Sequence, residues 1–115
     1  MMAETYEAIV CIVNSGFSET VMDAARSCGA TGGTVLSASG TANPESEKFF
    51  GISFVPEKEI VIIVVNKKIR DDILHAIYNS VGLSTPGQGI AFTLPVDHIA
   101  GFKDSLSAPP ADSKQ

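Results

Sequence analysis

The sequence predicts an α+β domain, an antiparallel four-stranded sheet with two helices on one face. Three observations predict it. Continuous apolar runs of strand length stand at Ala8–Val13 and Ile60–Val65. Each is followed by a segment with apolar residues at helical spacing. Each helical segment meets a glycine and gives way to a further strand-like run. The order is β-α-β-β-α-β, the split βαβ or ferredoxin-like arrangement.

The elements follow in turn. Ala8–Val13 is apolar throughout, as expected of a strand covered on both faces. Asn14-Ser15-Gly16 is a turn. Ser18 is the expected N-cap of the first helix, with Glu19 in its first turn favourable to the dipole. Val21, Ala24, Ala25 and Cys28 mark the inner face of that helix, and Gly29 stops it. Thr34–Ser39 is a second strand, less apolar and therefore nearer an edge. A polar loop runs from Gly40 to Glu47. Phe50, Ile52 and Phe54 then alternate at strand spacing. After Pro56-Glu57-Lys58, Ile60–Val65 is the most strand-like run in the chain. Asn66 caps a second helix, whose inner face is Ile69, Ile73, Ala76, Ile77 and Ser80 and whose end is Gly82. The last strand is Ile90–Leu94.

The chain of 115 residues supports one domain, placed at residues 1–103, with a polar, proline-bearing tail at 104–115 expected to be disordered. The helices cover one face of the sheet, yet the central strands are apolar on both. The second face therefore calls for an oligomer that packs sheets together.

Composition excludes several classes. Hydrophobic residues make up 44% and charged residues 18%, with a net charge of −5. A duplex binder needs a basic face, so nucleic acid is not an expected partner. No apolar run reaches the roughly 18–20 residues of a membrane span, and no signal peptide is visible. The expected location is the cytoplasm, without membrane insertion. Cys11 and Cys28 form no paired motif and read as two buried free thiols.

No catalytic constellation emerges. His75 lies about 200° around a helix from Ile73, towards solvent. Two histidines without clustered carboxylates make a poor metal site. No serine sits in a nucleophile elbow. Asp71 and Asp72, opposed by Lys67, Lys68 and Arg70, read as a charged helix face. The stronger candidates are two glycine-rich segments, Gly29-Ala30-Thr31-Gly32-Gly33-Thr34-Val35-Leu36 and Thr85-Pro86-Gly87-Gln88-Gly89-Ile90-Ala91-Phe92. Both run into strands, and both allow backbone N–H groups to approach an anionic ligand. Neither is a Walker A or Rossmann fingerprint.

With Val55-Pro56-Glu57-Lys58-Glu59-Ile60 between them, these segments carry a resemblance. Over about residues 5–103 the chain resembles the PII-like (P-II, nitrogen-regulatory) signal-transduction proteins. The resemblance implies a homotrimer with sheets turned inward and an adenine nucleotide in each cleft between subunits. Thr31 looks like the threonine presented by the neighbouring subunit. Gly40, flanked by Ser39 and Thr41, looks like a backbone contact at the root of the family's long T-loop. Val64 looks like the apolar contact to the base, and Gly87, Gln88 and Gly89, after Pro86, like the loop that holds the phosphates. The segment from Gly40 to about Phe54 then looks like a short T-loop. The resemblance implies a partner, contacted through Asn43, Glu45, Lys48 and Phe50, that is commonly a membrane transporter or an enzyme. Such a protein is a sensor, not an enzyme, and has no cofactor beyond its regulatory nucleotide.

The chain departs from the family's pattern. Ile90 stands where a lysine usually follows the phosphate turn, and Gly101 and Lys103 stand in place of two arginines. Phosphate contacts from cations are charge-assisted and strong. Lys58, Lys48 and Lys103 replace them only in part, so AMP or ADP is expected over ATP. The loop has no tyrosine to uridylylate, though Ser46 and Ser53 are available to modification. A role in nitrogen metabolism does not follow. Two alternatives keep the fold. One is a CutA-like trimeric binding protein for a metal or other small anion, without nucleotide. The other is an enzyme working at the cleft through His98 and Asp97, which point to opposite sides if strand geometry continues past Leu94.

Overall fold

The computed structural model describes residues 5–40, 57–85 and 88–102. The elements are β1 (Tyr6–Asn14), α1 (Ser18–Ser27), β2 (Thr34–Ser39), β3 (Glu57–Asn66), α2 (Lys67–Val81) and β4 (Gly89–Val96). All strand pairs are antiparallel and the sheet order is β2-β3-β1-β4. That is the ferredoxin-like arrangement, with β2 at an edge as its weaker apolar pattern predicts. The alternating strand predicted at Phe50–Phe54, most of the polar loop and the tail at 104–115 lie outside the described residues.

Alternation along the strands divides the sheet into two faces. Ile9, Cys11 and Val13 of β1 and Val61, Ile63 and Val65 of β3 point towards the helices and are buried. They meet Val21, Met22, Ala24 and Ala25 of α1 and Ile73, Ile77 and Val81 of α2 in one core. Val81, not Ser80, completes the inner face of α2, while Ser80 is exposed. One position further along a helix turns the side chain by about 100°, which carries Val81 back to the sheet.

The opposite face is uncovered in a single chain. Register places Ala8, Val10 and Ile12 of β1 between Val64, Ile62 and Ile60 of β3 and Leu94, Phe92 and Ile90 of β4. Ile90 is 57% exposed, Leu94 50%, Leu36 45% and Phe92 40%. These are high values for large apolar side chains on adjoining strands, and they form one contiguous patch.

Helix ends depart from expectation at one point. Asn66 caps α2 as predicted, its Oδ1 accepting from Lys68 N–H at 2.9 Å. Gly82, in the left-handed region, ends that helix. Ser18, however, is the first residue of α1 rather than its cap. The N-cap position is Phe17, which has no side-chain acceptor. The acceptor comes from β3 instead: Glu59 Oε1 takes the N–H groups of Gly16 and Ser18, each at 3.1 Å.

The charged face of α2 is also less uniform than predicted. Arg70 leans back to β1, where its guanidinium meets Glu7 at 2.9 Å, and also binds Asp71 at 2.9 Å. Both cysteines are free, but only Cys11 is buried, and Cys28 is half-buried. His75 is exposed as predicted, and Asp97 and His98 are exposed beyond β4.

Candidate functional site

The candidate ligand residues fall into two groups at opposite ends of the sheet. β3 separates them: from Lys58 to Val64 it runs about 20 Å.

The first group gathers where β1 ends and β3 and β4 begin. Ser15, Ser37, Ala38, Ser39, Glu57 and Lys58 line an open hollow of about 310 Å³. Ser39 pairs with Glu57 in the β2–β3 ladder, and Gly40 follows it directly. Lys58 donates from Nζ to Asn14 Oδ1 at 2.7 Å. Ser15 N–H donates to the Glu57 carbonyl at 3.2 Å. Three consecutive residues of β3, Glu57 to Glu59, thus bind the turn between β1 and α1. Gly89 opens β4 opposite Val13. Gln88 is turned inward, its Nε2 donating to the Val81 carbonyl at 3.3 Å.

The second group gathers at the Tyr6 end. Thr31, Gly32, Gly33, Thr34, Ile62 and Val64 line a hollow of about 370 Å³, which Gly101 and Phe102 close on one side. Thr31 is exposed and Val64 half-buried. The chain leaving β4 crosses the end of β1 to arrive here. Phe102 packs on Tyr6 with ring centroids 5.2 Å apart and planes at 74°. Gly33 has an internal reason to be glycine: a Cβ there would lie 2.9 Å from Met22 Sδ and 3.1 Å from the Ile62 carbonyl oxygen.

The structure therefore brings Thr31 to Val64, and Ser39 to Lys58, but does not bring these pairs together within one chain. Thr41, Pro86, Gly87 and Lys103, with the loop residues Asn43, Glu45, Lys48 and Phe50, lie outside the described residues. Sequence reasoning missed Ser15, Asn14 and Phe102 as site residues. Ser15 and Asn14 read as an ordinary turn because their partners stand far along the chain. For Phe102 the available signal is a lone aromatic after a glycine.

Among the described residues no group of three His, Cys, Asp or Glu side chains could hold a metal ion. No helix among them is long and apolar enough to cross a membrane.

No family model matches the chain, and no curated protein matches it in sequence. Solved structures do match. PII of Arabidopsis thaliana, in a crystal structure bound to citrate, superposes with a TM-score of 0.63 at 25% identity. The match covers 80% of this chain and 78% of that one. GlnK of B. subtilis superposes with a TM-score of 0.62 at 20% identity, over 80% of this chain and 85% of the other. The chain is PII-like. Its ferredoxin-like sheet, two helices and element order are those of the PII fold, as the motif resemblance implied. The likeness to PII and GlnK supports a PII-like regulator.

Proposed function

We propose that this PII-like chain assembles as a homotrimer and binds an adenine nucleotide in the clefts between neighbouring copies. The observation that carries the reading is the split site. Thr31 and Val64 stand at one end of the sheet, Ser39, Lys58 and Gly89 at the other, and about 20 Å of strand lies between. Two ends that cannot serve one small ligand within a chain can do so when copies pack through the open apolar face. That packing also buries Leu36, Ile90, Phe92 and Leu94.

The preferred ligand is AMP or ADP. A triphosphate needs several cations, and among the described residues the phosphate side holds Lys58, with an apolar Ile90 where the family's lysine stands. The output is conformational, without a chemical step. The nucleotide sets the arrangement of the loop at 40–54, which Asn43, Glu45, Lys48 and Phe50 present to a membrane transporter or an enzyme in the cytoplasm.

Light scattering and isothermal titration test the proposal on the full chain. The expected result is a trimer that binds AMP and ADP more tightly than ATP. Absence of heat with all three at millimolar ligand overturns the nucleotide reading.

A second reading has its own observation. The hollow lined by Ser15, Ser37, Ser39 and Lys58 offers hydroxyls and one ammonium to a small organic anion. The Arabidopsis relative was crystallised with citrate. Heat with citrate and none with nucleotides would select this reading.

A further inference from the structure

We propose that Phe102 is the stacking wall of the ligand site, so that this chain selects its ligand by a flat ring more than by phosphate charge. The inference rests on the nucleotide reading above and deepens it.

The geometry begins with Gly101. Its φ of 79° lies in the left-handed region, which a side-chain-bearing residue enters at a cost. The bend there turns Phe102 back towards the sheet. On one side the ring meets Tyr6, and the near-perpendicular contact orients it. With Gly29, Ala30 and Ile69 it also borders a space too narrow for a water molecule. Its remaining side borders the open hollow shared with Thr31 and Val64. An aromatic wall held by Tyr6 and bordering the hollow is a pre-organised stacking surface, since its ordering cost is met before the ligand arrives.

The lining of that hollow decides what it takes. None of the described residues that line it carries a charge: they are threonines, glycines, Ile62, Val64 and Phe102. Phosphate finds no cation among these described residues, whereas an uncharged heteroaromatic ring gains apolar contact from Val64 and Ile62 and a π-face from Phe102. Thr31 and Thr34 supply hydroxyls that can read the ring's nitrogens. At about 370 Å³ the hollow lies at the small end of the range for ligand sites, suited to a base with its sugar. The ligand class is a purine nucleoside or nucleotide, with its phosphate end directed out of this hollow.

The test titrates adenosine, AMP and inorganic pyrophosphate into the full-length wild type, Phe102→Ala, Phe102→Leu and Phe102→Tyr. Alanine removes the wall, leucine keeps apolar bulk without a ring, and tyrosine keeps the ring. Loss of one base stack is expected to weaken adenosine and AMP about tenfold in Phe102→Ala and Phe102→Leu. Phe102→Tyr is expected to stay within about twofold of wild type, and pyrophosphate to bind all four proteins alike. The chain has two tyrosines and no tryptophan, so adenosine binding should also change the tyrosine emission. Tyr6→Phe should remove that change. Unaltered adenosine and AMP affinity in Phe102→Leu overturns the role of Phe102 while the nucleotide site stands. Failure of the wild type to bind adenosine or AMP overturns both.

Discussion

Glu59 on β3 accepts the backbone N–H of Ser18, at the start of α1, at a distance of 3.1 Å. The same oxygen accepts from Gly16 N–H, so a strand residue performs the capping that the helix's own N-cap, Phe17, cannot. The Ser18 hydroxyl, followed by the Gly16 and Ser18 amides, holds the Glu59 carboxyl below its ordinary range, against an opposing desolvation. A depressed folded-state pKa contributes stability above the unfolded pKa. That contribution is lost as pH falls through the folded value. Urea unfolding of wild type and Glu59→Gln should therefore show a gap at neutral pH that closes in the acid range, below the usual carboxylate pKa. A gap that stays constant down to the acid limit would remove the carboxylate's charge from this account.

Gly89 opens β4 at a φ of 145°, and a Cβ there would run into the Ile12 carbonyl oxygen of β1. Backbone atoms of a paired strand cannot swing aside as a side-chain tip can. Gly89→Ala is expected to cost about 2 kcal/mol or more, read from chemical denaturation. Gly32 is the matched control. Among the described residues beyond its chain neighbours, no atom lies within 4 Å of its hypothetical Cβ, so Gly32→Ala should stay within about 0.5 kcal/mol of wild type. Equal effects at the two positions would refute the close-approach explanation for Gly89.

The boundary between what was and was not legible in the sequence follows from this pair. Strands, helices and the uncovered sheet face are written in local periodicity: Ile9, Cys11 and Val13 alternate with Val10 and Ile12 within a few residues of one another. Gly89 was legible as a turn glycine, but its clash partner on β1 was not, because only the strand register supplies it. The Glu59 cap was hidden for the same reason: its partners Gly16 and Ser18 stand far away along the chain, and Ser18 looked sufficient by itself. The candidate site was half legible. The first glycine segment marks residues that line one hollow, but the separation of Thr31 from Lys58 along β3 appears only once the sheet is assembled.

The two cysteines should differ sharply in reactivity. Cys11 is fully buried between the helices and the sheet, and that burial pushes its thiol up to about 11. Reagents need both access and thiolate. Cys28 is half-buried at the end of α1, with its sulfur 3.6 Å from the Asp72 carbonyl oxygen. At pH 8 the native protein should release one equivalent of thiol per chain to a disulfide reagent, and the second only on denaturation. The slow thiol should disappear in Cys11→Ala. Two equally fast thiols in the native protein would contradict the burial of Cys11.

The open face provides the most direct test of assembly. Phe92 sits opposite Val10 on β1, in the middle of the uncovered patch, with Ile90 and Leu94 on either side along β4. The Phe92 ring points away from the helical core, so a charge placed there stays in water in a single chain. If copies pack through this face, the same charge is buried without a partner, which costs several kcal/mol at each interface. Phe92→Asp should therefore convert the assembly to monomers at micromolar concentration by light scattering. Its helical circular dichroism should stay at the wild-type level. Because the two halves of the candidate site then no longer meet, nucleotide binding should fall in parallel with the trimer. A Phe92→Asp variant that remains trimeric would show that the copies meet elsewhere. A monomeric variant that binds nucleotide as wild type does would place the whole site within one chain.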